Sequence, residues 1–343
     1  MNRVGIIGAG WPGGAHAKGY LAAGGFRLMA VADLIPARRQ KLLGEFGIQK
    51  EYASAEELLK DKELDVVSVC VPNDLHVTVT LAALKAGKHV VCETPPGVSV
   101  SEAKRIQKAA EKAGKVVLYG MQRRFGANEQ AARQAILKGF AGDVYHARAS
   151  WTRTRGVPIG TGWYTKKEKS GGGAMADLGV QMLDVAWYLM GQPKPVSVFG
   201  VSHAKFGTGM VPAEVGFDVE DAGFALIRFE GGKSLELSAS WAINQAPSQN
   251  GAICRLYGET AGVEVYTPAG AVVYGQFDGK GNAKAIPLKG PKVTGYAALM
   301  RHLRECMLGK ATPTVGATQG VVLMQMLEGI YKSAEGGKSV GMS

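Results

Sequence analysis

A glycine turn set between a strand and a helix constrains this chain more than any other feature. Residues 4–7 form an apolar, β-branched run that reads as a buried parallel strand. Gly8-Ala9-Gly10-Trp11-Pro12-Gly13 follows, then a helix-like stretch at 15–23. A second strand at 27–32 ends on Asp33, 20 positions after Gly13. A lone GxGxxG is weak evidence, but strand, glycine turn, helix, strand and acid in that order are strong. Gly8 permits the tight turn, Gly10 lets backbone approach a pyrophosphate, and Gly13 lets the helix pack close to the strand. Pro12 fits the first helical turn, where its missing N–H costs little. Trp11 and Pro12 are therefore counted with the glycines as cofactor-binding positions, with the helix N-terminus meeting the phosphate charge.

Asp33 is placed to accept hydrogen bonds from adenosine ribose hydroxyls and to repel a 2′-phosphate, so NAD is expected ahead of NADP. Arg38 and Arg39 lie near enough in sequence to keep NADP open. The alternative to the whole reading is a structural glycine turn with Asp33 as a helix cap.

The alternation continues downstream. Ser54-Ala55-Glu56-Glu57 is a capping box opening a helix to Leu59, and Ser99 with Glu102 forms another, opening a helix that reaches Gly114. Strands are expected at 65–71, 89–92 and 116–120, with a helix at 74–86 ending on Gly87. Regular alternation of this kind gives a doubly wound parallel sheet, a Rossmann domain, with ligands beyond the carboxyl ends of its strands. Those ends add Pro72, Asn73, His76, Glu93, Thr94, Pro95 and Gln122 to the cofactor set, and Arg123 to the substrate contacts. His76 has a capping or structural role as its alternative, and His16 serves either packing or the phosphate.

The second half changes character. Segments 143–151, 196–204, 222–229, 234–241, 253–257 and 263–266 have strand composition and are joined by turns rather than helical crossovers. A mostly antiparallel open sheet is expected, with helices near 127–138, 174–189, 296–307 and 320–334. A chain of 343 residues exceeds one hydrophobic core, and the expected division is 1–122 for the NAD-binding domain and 123–343 for substrate binding and oligomerisation.

Composition removes several classes. The net charge of +11 is spread in short doublets without a basic tract, so no nucleic-acid partner is expected, and an anionic ligand uses positive potential equally well. Cys70, Cys92, Cys254 and Cys306 lack CxxC spacing, and the histidines lack ligand spacing, so neither a disulfide framework nor a metal is expected. No apolar stretch reaches membrane-span length and no signal-peptide pattern opens the chain, which leads to an expected cytoplasmic location.

Several strand ends together resemble one family. Val69-Cys70-Val71-Pro72-Asn73-Asp74-Leu75-His76, Ala86-Gly87-Lys88-His89-Val90-Val91-Cys92-Glu93 and Gln122-Arg123-Arg124-Phe125 are similar to the glucose–fructose oxidoreductase, inositol dehydrogenase and rhizopine-catabolism (Gfo/Idh/MocA) family. Gly171-Gly172-Gly173, Asp177-Leu178-Gly179 and Asp184 extend the likeness across nearly the whole chain. The resemblance implies an NAD(P)-dependent oxidoreductase acting on a sugar, polyol or derivative, and a homo-oligomer, dimer or tetramer, formed through the open sheet. Some relatives use transient oxidation to drive glycoside cleavage or elimination.

The chain departs from that family where the chemistry is expected. The resemblance assigns proton transfer to the lysine of a Glu-Lys-Pro motif and to an Asp and a His four residues apart. Here those segments read Glu93-Thr94-Pro95 and Asp177-Leu178-Gly179-Val180-Gln181. Thr94 and Gln181 hydrogen-bond but do not titrate near neutral pH. Asp177 is left as the leading proton-transfer residue, with Tyr164 beside Lys166 and Lys167 second. The readings kept open are an oxidoreductase with another base, redox-assisted cleavage through a keto-sugar, and a non-catalytic NAD- or sugar-binding protein. Arg153, Arg155, Trp163 and Tyr164 lie in a Gly- and Pro-broken loop suited to stacking on a sugar and donating forked hydrogen bonds. An ordinary surface loop or an oligomer contact is its alternative. Gln181 and Asp184 are placed to share a helix face with Asp177. Glu220-Asp221 reads most simply as a turn or solvated edge.

Overall fold

A computed structural model describes residues 1–160, 162–267, 269–275 and 284–342. The chain divides into two compact units, Met1–Phe125 with Val293–Met324, and Gly126–Lys292 with Gln325–Ser343. The first thus takes in a segment from the far end of the chain that a single cut after residue 122 does not anticipate.

The first unit alternates as its sequence does: β1 (Asn2–Ile7), α1 (Trp11–Ala23), β2 (Phe26–Ala32), α2 (Pro36–Phe46), β3 (Lys50–Tyr52), α3 (Ala55–Leu59), β4 (Val66–Val69), α4 (Asn73–Lys85), β5 (His89–Cys92), α5 (Val100–Ala113) and β6 (Val117–Tyr119). Its six strands are all parallel, in the order β3-β2-β1-β4-β5-β6. The order reverses between β1 and β4, the switch point at which such sheets bind a dinucleotide. The strands are buried on both faces, which explains their unbroken apolar runs. Both capping boxes form: the Ser54 and Ser99 hydroxyls accept from the amides of Glu57 and Glu102, whose carboxylates accept from Ala53 and Val98.

The second unit contains α6 (Ala127–Leu137), β7 (Val144–Thr152), α7 (Lys167–Ser170), a π turn (Met175–Gly179), α8 (Val180–Leu189), β8 (Pro195–His203), α9 (Gly207–Met210), β9 (Ala222–Phe229), β10 (Ser234–Ser240), β11 (Gly251–Gly258), β12 (Ala261–Thr267), β13 (Gly270–Gly275) and β14 (Lys284–Pro287). The chain then returns to the first unit with α10 (Gly295–Met307). The division falls within the next helix, α11 (Ala317–Gly336), and β15 (Val340–Gly341) closes the second sheet. Among the described residues that sheet has nine strands, β14-β13-β12-β11-β7-β10-β9-β8-β15. It is antiparallel except for the central pair β7 and β10. Along the middle of β7 and β10 side chains alternate: Ala147, Ala149, Leu235 and Leu237 face the core, where α8 packs, while Arg148 and Glu236 face out.

Glycine lets α10 join the first unit. A Cβ on Gly19 of α1 would lie 2.8 Å from the Tyr296 Cβ, so only glycine allows the two helices this close.

Candidate functional site

The residues expected to hold the cofactor lie at strand ends of the first unit. Gly8 has φ +95°, and a Cβ there would lie 2.2 Å from the Cys70 carbonyl oxygen. A Cβ on Gly13 would meet the Gly8 carbonyl at the same distance, so helix and turn approach as expected for this motif. Gly10, by contrast, caps α1 and faces open space, the nearest atom to its would-be Cβ being Pro12 Cδ at 3.7 Å. The glycines thus leave a cradle at the amide-bearing end of α1, which suits a pyrophosphate. Trp11 is 77% exposed at its edge, and Pro12 occupies the first turn.

Asp33 closes this cradle. Its Oδ2 accepts from the Ala9 amide at 2.7 Å and its Oδ1 from the Ile35 amide at 2.8 Å. A carboxylate has about four acceptor positions, so it retains capacity for ribose hydroxyls. Arg39 donates to the Asp33 carbonyl and pairs with Glu51 at 2.9 Å, while Arg38 is exposed. Arg39 is thereby already matched by an acid, which favours NAD. At the other strand ends, Pro72 caps α4 and Asn73 is buried as its first residue. Gln122 opens a 3-10 turn, and its buried Oε1 has no hydrogen-bond partner among the described residues, an acceptor suited to a ligand.

His76 is corrected from cofactor contact to positioning. It is buried, with Nδ1 at 2.9 Å from the Pro95 carbonyl and Nε2 at 2.9 Å from that of Val71. Carbonyls only accept, so both ring nitrogens donate and the ring is an imidazolium that clamps two strand ends. Burial opposes that charge, but Cys92, the Pro95 carbonyl and Glu93 outweigh it and push the pKa up to about 9. The adjoining Thr94–Pro95 bond is cis. In the Gln122-Arg123-Arg124-Phe125 turn the buried arginine is Arg124, which donates to the Thr314 carbonyl.

Behind Thr94 lies a polar network that single residues did not reveal. His16, fully buried, sits 2.8 Å from both Ser68 Oγ and Glu93 Oε1, and Tyr20 reaches Ser68 at 2.9 Å. Tyr296 of α10 donates to Glu93 at 2.6 Å, and the Thr94 amide donates to it at 3.2 Å. Burial works against the ionised carboxyl, but His16, Tyr296 and the Thr94 amide prevail, and its pKa falls below the usual range.

The residues expected to meet substrate, Arg153, Arg155, Trp163, Tyr164, Asp177 and Gln181, lie in the second unit, and Arg123 lies in the first. Asp177 stands in the π turn that leads into α8, an insertion common at functional sites. Its Oδ2 accepts from Trp241 Nε1 at 2.8 Å. Burial raises its proton affinity above the usual carboxylate level, while the Trp241 N–H and the Arg153 charge pull it back in part. Arg153 also donates to the Gly156 carbonyl and lies over Trp151, and Trp163 stacks on Tyr164 at 3.8 Å. Arg155 is tied to the Thr154 and Ile243 carbonyls, to Asn244 and to the Phe206 ring. Gln181 is buried in α8, as is Asp184, so the face they share is largely internal.

The solvated-edge reading of Glu220-Asp221 is overturned. Glu220 is buried and accepts from the Gly173 amide at 2.8 Å, the Met175 amide at 2.9 Å and the Tyr331 hydroxyl at 2.9 Å. Asp221 accepts from the Phe206 and Gly207 amides. A Cβ on Gly172 would lie 2.0 Å from the Tyr331 hydroxyl, and one on Gly173 1.8 Å from the Glu220 carbonyl oxygen. The glycine run therefore exists to seat the π turn against Glu220, and it is this anchor that fixes Asp177.

Two family models match. Residues 2–121 match the Gfo/Idh/MocA oxidoreductase family with its NAD-binding Rossmann fold, and residues 130–264 match the Gfo/Idh/MocA C-terminal domain. The chain belongs to this family. Over 350 residues it is 33% identical to the D-glucoside 3-dehydrogenase of Escherichia coli K12, covering 98% of this chain and 97% of that protein. It is 28% identical to the myo-inositol 2-dehydrogenase of Thermotoga maritima, covering 67% and 66% of the two. Among solved structures, a levoglucosan dehydrogenase complex with NADH superposes with TM-score 0.89 at 20% identity, covering 100% of this chain and 99% of that one. An aldose-aldose oxidoreductase from Caulobacter crescentus superposes with TM-score 0.85 at 24% identity, covering all of both chains. These two likenesses show the fold. As a Gfo/Idh/MocA protein, the chain is an NAD-binding oxidoreductase of the sugar and polyol class. Among the described residues no helix is long and apolar enough to cross a membrane, and no group of three or more His, Cys, Asp or Glu could hold a metal.

Proposed function

We propose that the chain oxidises a ring hydroxyl of a glucoside-like sugar with NAD, and that Asp177 accepts the hydroxyl proton. One observation carries this reading: Asp177 is a partly buried carboxylate with raised proton affinity, aimed by Trp241 and steadied by Arg153. A base whose pKa lies nearer the working pH transfers protons better than an ordinary exposed carboxylate. The substrate class is supported by the relative named D-glucoside 3-dehydrogenase, which matches along nearly the full chain.

Gly8, Gly10, Trp11, Pro12, Gly13, Asp33, Pro72, Asn73, Glu93, Thr94, Pro95 and Gln122 would hold NAD, which supplies the hydride acceptor when bound. Thr94 and Gln181 stand where relatives are expected to carry lysine and histidine, and they serve as hydrogen-bonding groups. Arg153 and Arg123 donate to substrate oxygens. Trp163 and Tyr164 offer a stacked aromatic surface to a sugar face, and Tyr164 is the second candidate for proton transfer.

The test is absorbance at 340 nm with purified protein, NAD and a panel of glucosides and polyols. A signal is expected with at least one glucoside, and Asp177→Asn should lower kcat by roughly 10²–10⁴-fold, the usual worth of a general base. Unchanged turnover in that variant would move the role to Tyr164. Product cleavage without net NADH would favour redox-assisted elimination, and NAD binding without turnover would favour a binding protein.

The homo-oligomer is part of the same proposal. The outer face of the nine-stranded sheet aligns Arg255, Arg148, Glu236, Leu226 and Phe199 in one cross-strand row, with Leu226 45% and Phe199 46% exposed. Acid, base and apolar groups side by side suit a second copy of the same face.

A further inference from the structure

The Glu93 network serves no step of the proposed proton transfer, yet it keeps a buried charge at a defined place. Topology gives that place. Rossmann sheets bind one mononucleotide on each half, and β1 to β3 with Asp33 take the adenosine side. Glu93 directly follows β5, in the middle of the other half, which therefore takes the nicotinamide.

The surrounding groups are donors. One orientation satisfies the whole chain, with Tyr20 donating to Ser68, Ser68 to His16, and His16 to Glu93, while Tyr296 and the Thr94 amide also donate to Glu93. The carboxylate is the anion of this network, and the His76 imidazolium lies close enough to feel its charge. Among the described residues no lysine or arginine forms an ion pair with it. Four hydrogen-bonded side chains and a glycine are committed to it, because a Cβ on Gly120 would stand 2.7 Å from its Oε2. Oε1 takes the two short bonds, Oε2 accepts the longer one from Thr94, and the side chain stays 13% exposed. The negative charge is therefore held at the edge of a poorly polarisable setting, where charge acts at greater strength than in water.

We propose that the Glu93 carboxylate biases the bound coenzyme toward its oxidised form, by attracting the cationic nicotinamide ring of NAD⁺ and giving no such attraction to the neutral ring of NADH. Glu93 thereby sets which way the hydride is handed: it favours binding of the oxidant before substrate and release of the reduced product. The inference rests on NAD binding by the first unit, and it concerns Glu93 as a charge rather than as an acid or base.

The experiment measures Kd by titration calorimetry for NAD⁺, NADH and ADP-ribose, which carries the adenosine and both phosphates but no nicotinamide. Wild-type protein should bind NAD⁺ at least as tightly as NADH. In Glu93→Gln, the ratio Kd(NAD⁺)/Kd(NADH) should rise about tenfold or more, while ADP-ribose affinity stays unchanged. Glu93→Asp, which keeps the charge, should hold the ratio near the wild-type value. An unchanged ratio in Glu93→Gln with ADP-ribose binding intact would overturn the proposal. Should Glu93→Gln lose ADP-ribose as well, the wild-type ratio decides, and NADH binding tenfold tighter than NAD⁺ would overturn it. Failure of wild-type protein to bind ADP-ribose would instead remove the coenzyme itself.

Discussion

Individual side chains in this protein do their work through partners that the fold brings to them. His76 is a clear case, since its two carbonyl partners fix its charge state. Its folded pKa of about 9 lies above the ordinary value of 6.5. Folding therefore favours the protonated ring, and that stabilisation is complete below pH 6.5 and is lost as pH rises through about 9. The shift corresponds to about 3 kcal/mol for the first unit. Urea midpoints measured from pH 6 to pH 10 should fall across this window, and the fall should be much smaller in His76→Gln. Glu220 teaches the same lesson in reverse. An acid pair before a strand reads as a solvated edge, because its donors, at Gly173, Met175 and Tyr331, are 45 or more positions distant. Arg124 rather than Arg123 is the buried arginine of its turn for the same reason: the Thr314 carbonyl it meets lies 190 positions on.

At the level of elements, the sequence shows most where local chemistry decides. The glycine turn, Asp33, both capping boxes and the strand at His89–Cys92 all lie where short-range patterns place them. Short or exposed pieces such as α2, β3, β14 and β15 escaped notice, since they bury too little for periodicity to show. The π turn escaped too, because its wider winding is imposed by Glu220 and Trp241 rather than by local propensity. Glycines in the two kinds of setting should respond oppositely to alanine. Gly173→Ala forces a methyl to within 1.8 Å of a backbone oxygen and should cost roughly 1–3 kcal/mol or more. Gly44→Ala, in the last turn of α2 with nothing within 4 Å, should stabilise by about 0.5–1 kcal/mol. Denaturant midpoints of the two variants against wild type check both signs. Gly173→Ala should also lose turnover, because it unseats Asp177.

For the whole molecule, the family and its coenzyme were legible from motifs, and the division into units was legible only in part. That α10 belongs with the first unit follows from the Gly19–Tyr296 approach, which no pattern in either segment announces. The exposed row on the nine-stranded sheet leads to an expected homo-oligomer. Sedimentation should give a mass at least twice that of the 36.1 kDa chain, and Leu226→Glu should shift it to monomer. A monomeric wild type would dismiss that part of the account. Its central claim is hydride removal from a sugar carbon, with Asp177 taking the hydroxyl proton. The most direct measurement uses a glucoside deuterated at its ring carbons and mass spectrometry of the coenzyme recovered after turnover. One deuterium per reduced nicotinamide is predicted with wild-type protein, and Asp177→Asn should form almost no reduced, deuterated coenzyme in the same time. Coenzyme free of deuterium after wild-type protein has consumed the glucoside would contradict the account.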